Sequence, residues 1–152
     1  MTGTQITIRP LEAIDWEEWR VLWEGYNTYY KRSIPDEVTR TTWNRFFDVY
    51  EPVHAFVAAD GDDLIGFVHC LYHRSTSMLP PICYLQDLFT SPAARGRGAG
   101  RLLIEAVYDA SGSAGCSRVY WLTHEANADA IVLYEKVAER SGFIQYRKDL
   151  PG

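Results

Sequence analysis

One short stretch of the sequence restricts the fold more than any other part of the chain. From Arg95 to Arg101 the chain contains three arginines and three glycines, directly after an apolar run, ICYLQDLFT, that is typical of a strand. Glycine occurs where the backbone turns tightly or approaches another group closely, and arginine occurs where an anion is bound. An apolar pattern with helical spacing, GRLLIEAVYDASGSAG, follows. The stretch therefore predicts a phosphate-binding loop between a strand and a helix.

Known phosphate-binding loops differ in the spacing of their glycines. A P-loop ends in Lys and Ser or Thr, which this loop lacks. A dinucleotide-binding loop has the pattern Gly-x-Gly-x-x-Gly, whereas the glycines here are Gly96, Gly98 and Gly100. The pattern Arg-x-x-Gly-x-Gly is satisfied by Arg95, Gly98 and Gly100. In such a loop, backbone N–H groups at a helix N-terminus point into one concavity and attract a diphosphate.

Hydrophobic periodicity along the chain predicts the element order β-α-α-β-β-β-α-β-α-β. The predicted strands are TQITIRPL, HAFVAAD, LIGFVHCLY, ICYLQDLFT, SRVYWLTH and FIQYRKDL. The predicted helices are WEEWRVLWEGYNTYY with Asp15 as its N-cap, residues 35–48, the segment after the glycine loop, and a segment from Asn127 or Asp129 to Arg140. This order indicates one α/β domain, residues 1–152, with a mixed sheet flanked by helices.

The distribution of charge argues against binding to nucleic acid. Without the three loop arginines, 12 basic residues remain against 20 acidic ones, so the chain lacks the broad basic face that such binding needs. We also expect no membrane association and a cytoplasmic location, since no apolar run approaches a bilayer span and the first residues do not resemble a signal peptide. The three scattered cysteines fit reduced thiols.

With YLQDLF before the loop, WLTHEAN after it, and Asn127 followed by Tyr134, the sequence resembles the GNAT superfamily of acetyl-CoA-dependent N-acetyltransferases. Within it, the chain is most similar to the yeast-type histone and polyamine acetyltransferases, including the spermidine/spermine enzymes. The resemblance implies the GNAT fold, a mixed and mostly antiparallel central sheet that splays between its fourth and fifth strands. It also implies transfer of an acetyl group from acetyl-CoA to an amine.

The same resemblance assigns residues to acetyl-CoA. The pantetheine arm would hydrogen-bond to the backbone of Leu88, Phe89 and Thr90, and Asn127 and Tyr134 would complete the site. The pyrophosphate would be held by the whole loop, namely Arg95, Gly96, Arg97, Gly98, Ala99, Gly100 and Arg101. We expect no metal, because His69 and His73 on one strand are too far apart to share an ion and are expected to be surface or rim residues.

Acetyl transfer requires a neutral amine and a protonated leaving thiol. Tyr134 matches the general acid of the family, but a phenol is a weaker acid than a thiol, so Tyr134 either donates the proton or only a hydrogen bond. The related enzymes carry Glu-Asp where this chain has Gln86-Asp87, which leaves the base open. Asp87 can be the base, either directly or through a water molecule. It can also only bind the substrate ammonium, or be a buried structural residue. Strand alternation turns Gln86 to the face opposite Asp87.

The sequence says less about the acetyl acceptor than about the cofactor. In the family, the N-terminal helices shape the acceptor pocket, where Tyr26, Tyr29 and Tyr30 can form a wall that accepts a cation. Because the chain is acidic outside the loop, we expect a cationic primary amine: a polyamine, the lysine of a peptide, or another small amine. We also expect a homodimer, because the last predicted strand is apolar enough to be paired.

Two other functions remain open at this point. Because Gln86 replaces the family's glutamate, the chain can instead be a GNAT-fold module that binds acetyl-CoA or senses it with little transfer. An arginine-glycine loop that binds RNA is the third alternative, although a single short run lacks the repeats such segments have.

Overall fold

The computed structural model describes residues 5–152, and their contacts form two units, residues up to Leu122 and residues from Thr123 onward. The first unit contains α1 (Trp16–Tyr29), α2 (Asp36–Phe46), α3 (Ala99–Ser113), and the strands β1 (Ile6–Pro10), β2 (Val53–Asp60), β3 (Asp63–His73), β4 (Ile82–Thr90) and β5 (Val119–Tyr120). The second unit contains α4 (Ala128–Val137). The mixed α/β class is confirmed. Thr4, the first residue of the predicted first strand, lies outside the described residues.

The five strands form one sheet in the order β1-β2-β3-β4-β5, antiparallel except for the parallel pair β4 and β5. Gly61, with φ of 62°, turns the predicted hairpin between β2 and β3. At Gly66 on β3, an added Cβ would lie 2.7 Å from the backbone oxygen of Phe89 on β4. Only glycine allows these two strands to approach so closely.

Helices cover both faces of the sheet. The row Val57, Phe67 and Phe89 runs across the three inner strands and packs against α1, whose Trp19 is fully buried. Strand alternation turns the neighbours of this row to the other face, where α3 packs against β2, β3 and β4 through residues such as Leu103. The sequence predicted α1, α2 and α3 because their apolar residues recur with helical spacing.

The sheet opens between its last two strands, as predicted. β5 pairs with β4 only at Cys83 and Tyr84, so within residues 5–152 no strand pairs with that edge of β4 from Leu85 to Thr90. On the other edge, the register between β3 and β4 shifts after His69: His69 faces Asp87 and Cys70 faces Leu85. Gln86 is therefore the extra residue of a β-bulge, a feature that bends a strand and redirects its side chains.

Two strand predictions were wrong. SRVYWLTH forms a strand only at Val119–Tyr120, and FIQYRKDL forms none. In the last segment, three consecutive charged residues, 147–149, interrupt the alternation that a half-buried strand needs. Its apolar side chains Phe143, Ile144 and Tyr146 are exposed. By contrast α4 forms as predicted, with Asn127 at its N-cap.

Candidate active site

A single carboxylate on β4 joins three elements of the first unit. Asp87 is buried, and each of its oxygens accepts one hydrogen bond. The Tyr26 hydroxyl of α1 donates to Oδ1 at 2.9 Å, and Nδ1 of His69 on β3 lies 2.9 Å from Oδ2. A carboxylate oxygen has lone pairs for more than one donor. Asp87 can therefore hold its neighbours and still accept a proton from a further group.

The orientation of His69 follows from its second partner. The indole Nε1 of Trp19 lies 3.1 Å from Nε2 of His69, and an indole N–H can only donate. Nε2 is therefore the acceptor, so Nδ1 carries the hydrogen and donates it to Asp87. The sequence prediction of a surface or rim position for His69 was wrong. β3 is buried along most of its length, which leaves His69 only 3% exposed.

Tyr26 keeps its proton. Burial and the negative charge of Asp87 raise the pKa of its hydroxyl far above the ordinary value, and a hydrogen bond from Arg32 opposes this rise only partly. Tyr26 is thus a permanent donor to Asp87 at any physiological pH. Tyr26 and His69 together hold the Asp87 carboxyl group in place.

The two polar residues at the bulge on β4 differ in their exposure to solvent. Gln86 is exposed whereas Asp87 is buried. Beyond them, Leu88, Phe89 and Thr90 belong to the part of β4 whose outer edge has no strand partner in the described chain. Backbone N–H and C=O groups along such an edge can pair with an extended ligand as another strand would.

The glycine loop has the backbone geometry of an anion-binding turn. Gly96 and Gly98 have φ of 82° and 84°, and Gly98 is the N-cap of α3. Leu102 donates to the oxygen of Gly98 at 3.1 Å, so the N–H groups of residues 99–101, namely Ala99, Gly100 and Arg101, have no partner inside the helix. These N–H groups and the positive end of the helix dipole suit a phosphate.

The loop arginines have partners of their own. Arg97 forms an ion pair of 2.8 Å with Asp60, and Arg101 lies 3.4 Å from Glu105. Nε of Arg95 donates to the backbone oxygen of Thr90 at 3.2 Å, and its guanidinium stacks on Tyr29 and Phe89. Arg95 is thus fixed by uncharged groups, and its positive charge is not neutralised by a carboxylate there.

The three tyrosines predicted for the acceptor wall lie together but are not equivalent. Tyr26 is buried, while Tyr29 and Tyr30 are half exposed. The ring of Tyr30 lies 5.1 Å from the rings of both Tyr26 and Tyr29. Guanidinium groups already occupy ring faces in this cluster: Arg32 lies over Tyr26 and Tyr30, and Arg95 over Tyr29. This arrangement weakens the argument for a wall that accepts a substrate cation.

The second unit contains the other two predicted residues. Asn127 is the N-cap of α4, and its Nδ2 donates to Oγ1 of Thr123 at 3.3 Å instead of capping the helix. Tyr134 lies on the same helix and is half-buried. Its role in acetyl transfer stays a prediction.

Comparisons with known proteins decide the family. The model of the acetyltransferase (GNAT) family matches residues 10–138. The chain belongs to this family. It is 35% identical to the D-amino-acid N-acetyltransferase of Saccharomyces cerevisiae over 98% of this chain and 94% of that protein. It is 26% identical to the thialysine N-epsilon-acetyltransferase of Caenorhabditis elegans over 64% of this chain and 63% of that one.

The fold is that of solved GNAT structures. An aminoglycoside N-acetyltransferase, AAC(6')-Iy in complex with CoA, superposes with a TM-score of 0.82 at 22% identity, over 98% of both chains. The family match and the yeast relative show that this GNAT protein is an acetyl-transferring enzyme, and enzymes of the family use acetyl-CoA. The loop residues fit the pyrophosphate of that cosubstrate, since α3 begins after its N-cap Gly98 with N–H groups that have no partner inside the helix and uncharged groups hold the Arg95 guanidinium.

Two features are absent from the described part of the GNAT chain: a metal cluster and a membrane-spanning helix. Among residues 5–152, no three His, Cys, Asp or Glu side chains are grouped so that they would hold a metal ion. None of its helices, over the same residues, has the length and apolar character required to cross a bilayer.

Sequence reasoning missed part of this GNAT site. His69, Trp19 and Arg32 received no role, because their contacts depend on strand register and on the packing of α1. One signal for His69 was available. A polar residue in the middle of the apolar run LIGFVHCLY is expected to be buried, and a buried polar group has a hydrogen-bonding partner.

Proposed function

We propose that the enzyme acetylates the primary amine of a small molecule and that Asp87 prepares this amine for attack. The observation that carries the proposal is the buried carboxylate with a donor on each oxygen. It lies on the strand whose outer edge, among residues 5–152, has no strand partner from Leu85 to Thr90. Acetyl-CoA supplies the activated acetyl thioester. Asp87 attracts the ammonium form of the acceptor and accepts its proton, directly or through a water molecule.

The remaining site assignments belong to the same proposal. The glycine loop from Arg95 to Arg101 binds the pyrophosphate, and the backbone of Leu88, Phe89 and Thr90 binds the pantetheine arm. Asn127 contributes to cofactor binding, and Tyr134 donates a hydrogen bond or a proton to the leaving sulfur. Gln86, Tyr26, Tyr29 and Tyr30 shape the acceptor side, with Tyr26 acting through Asp87.

The acceptor proposed from the sequence is cationic, such as a polyamine, a peptide lysine or another small amine. The excess of 20 acidic over 15 basic residues supports attraction of such a molecule. The relatives support the coarser class, because their names describe amine substrates that range from D-amino acids to aminoglycosides. The guanidinium groups over the tyrosine rings oppose a polyamine, which would bring several further positive charges.

The test is an assay of thiol release with acetyl-CoA and four groups of acceptors: polyamines, lysine peptides, amino acids and aminosugars. We expect turnover with at least one small amine. Tyr134→Phe should lower kcat more than it changes the KM for acetyl-CoA. Binding of acetyl-CoA without release of thiol for any acceptor would instead support the binding module, to which Gln86 in place of a glutamate points.

We also propose that the enzyme is a cytoplasmic homodimer. The exposed apolar side chains of Phe143, Ile144 and Tyr146 support self-association, because such residues are commonly covered in an assembly. The three free cysteines support a reducing compartment. Light scattering over a wide concentration range tests the assembly, and a constant mass of 17.4 kDa would contradict it.

A further inference from the structure

The chain directly after α1 has an unusual backbone. Lys31 has φ of 58° and is the only described residue other than glycine with a positive φ. The N–H of Lys31 donates to the oxygen of Thr28 at 2.9 Å, and the N–H of Arg32 donates to the oxygen of Asn27 at 2.8 Å. These two bonds form a Schellman motif, in which glycine is the usual residue at the position of Lys31.

The consequence of this turn is the position of the Arg32 side chain. The chain reverses at Lys31, and the Arg32 guanidinium lies over the last turns of α1. Its Cζ atom is 5.2 Å from the ring centroids of both Tyr26 and Tyr30. Two aromatic faces therefore restrict the orientation of this planar cation.

Arg32 has no carboxylate partner, whereas most of the other arginines that the structure describes do. Arg9 pairs with Asp15, for example, and Arg40 pairs with Asp36. For Arg32, no carboxylate of residues 5–152 lies within the 4.0 Å of an ion pair. A guanidinium has five N–H donors, and its contact with Tyr26 leaves most of them for another group. It is exposed, so a ligand can reach it.

Arg32 and Asp87 both contact Tyr26. The Arg32 guanidinium lies over the Tyr26 ring, and the Tyr26 hydroxyl donates to Oδ1 of Asp87. The acceptor side thus presents a fixed positive group and a fixed negative group next to each other. A molecule with an ammonium group and a carboxylate a short distance apart complements both charges. A polyamine complements only Asp87 and is repelled by Arg32.

We propose that Arg32 binds the carboxylate of an α-amino acid whose amine, held near Asp87, is the acetyl acceptor. This inference rests on the proposed function and gives it a substrate class. Arg32 then determines specificity without taking part in the proton transfer. The name of the yeast relative, a D-amino-acid N-acetyltransferase, agrees with this class of acceptor.

The test compares an amino acid with its amide, which keeps the amine and removes the negative charge. The value of kcat/KM is measured for alanine and alaninamide, each in both enantiomers, with the wild type and with Arg32→Gln. The fold-loss of kcat/KM on mutation is compared between the acid and the amide. Because each loss is a ratio for one substrate, the different basicity of the two amines cancels. We expect a loss of roughly 10- to 100-fold for the acid, the usual effect of removing a hydrogen bond to a charged group. For the amide we expect less than about a 3-fold change.

The matched control is Arg40→Gln, which removes another guanidinium that stacks on an aromatic ring, that of Trp16, and changes the net charge equally. It should leave the ratio of acid to amide unchanged. Arg32→Lys keeps the charge but loses the planar fork, so it should recover only part of the preference. Thermal unfolding of each variant shows whether it is folded.

The outcomes separate the inference from the function on which it rests. Equal losses for acid and amide, or a weaker affinity for acetyl-CoA in Arg32→Gln, would overturn the role of Arg32 while acetyl transfer stands. Calorimetry of alanine binding in the presence of CoA needs no turnover. If alanine binding depends on Arg32 but no thiol is released, the carboxylate site stands and the proposed acetyl transfer is wrong. If Arg32→Gln leaves alanine binding unchanged, the carboxylate site at Arg32 is wrong.

Discussion

The Nδ1–H group of His69 donates a hydrogen bond of 2.9 Å to Oδ2 of Asp87, and the two residues face each other across β3 and β4 at the last pair before the bulge. Trp19 fixes the imidazole from its other side at 3.1 Å. The carboxylate that we assign to catalysis therefore also connects α1 to the sheet. A change at Asp87 should affect both turnover and stability, and the two effects can be measured separately.

Asp87→Asn is expected to lower kcat by about 100-fold or more, because an amide cannot accept the proton of the amine. One side of the amide is an NH₂ group, which cannot accept the hydrogen bond of Tyr26 or that of His69. The free energy of unfolding should therefore fall by about 1–3 kcal/mol. Affinity for acetyl-CoA should not change. Steady-state kinetics, urea unfolding and calorimetry measure these three quantities.

Asp62→Asn is the control for charge, since Asp62 is exposed in the turn between β2 and β3. It should be neutral in all three measurements. If Asp87→Asn lowers stability but retains turnover, Asp87 is a structural residue, as the sequence alone allowed.

The elements of the fold were predictable where a local pattern determines them. Trp19, Leu22 and Tyr26 recur with helical spacing in α1, and Gly61 marks the turn of the hairpin. The contacts around Asp87 were not predictable, because they join residues 18 and 61 positions apart. Such contacts depend on strand register, and a shift of one residue would turn Asp87 to the other face. The last strand was wrongly predicted because apolar character alone does not supply a hydrogen-bonding neighbour.

Gly98→Ala is expected to weaken acetyl-CoA binding. Gly98 has φ of 84°, which an alanine adopts only with strain of about 1–2 kcal/mol, so the start of α3 should shift or lose its N–H array. Gly61→Ala is the matched control. Gly61 has φ of 62°, and an added Cβ meets nothing within 4 Å at either position.

Both variants should lose similar stability in urea unfolding, whereas only Gly98→Ala should lose affinity for acetyl-CoA in calorimetry. Equal affinities would show that the loop geometry does not serve the cosubstrate.

Gly66→Ala is expected to destabilise the protein by about 1–3 kcal/mol, because its Cβ would lie 2.7 Å from the backbone oxygen of Phe89 and would push β3 away from β4. Gly112→Ala provides the comparison in α3, where an added Cβ meets nothing within 4 Å. It should stabilise the helix by up to about 1 kcal/mol. Urea unfolding of both variants would contradict this reasoning if the two changes had the same sign.

Asp15→Asn tests the link between β1 and the start of α1 as a function of pH. Asp15 accepts two hydrogen bonds from Arg9, at 2.7 and 2.9 Å, and one from the N–H of Glu12 at 2.8 Å. The Arg9 hydrogen bond lowers the pKa of Asp15 below its ordinary value of 3.8, although burial opposes this shift. Since the folded pKa lies below the unfolded one, this stabilisation is complete above the unfolded value and is lost as the pH falls through the folded value.

The wild type should therefore be more stable than Asp15→Asn by about 1–3 kcal/mol at pH 7, and this difference should shrink below pH 3.8. Urea unfolding of both proteins from pH 7 to pH 2 measures the difference directly. Asp36→Asn is the matched control, because Asp36 pairs with Arg40 through side chains that are 73% and 63% exposed. An exposed pair contributes about 0–1 kcal/mol, so this variant should differ little from the wild type at any pH. A constant difference for Asp15→Asn across the whole range would show that its charge does not stabilise the fold.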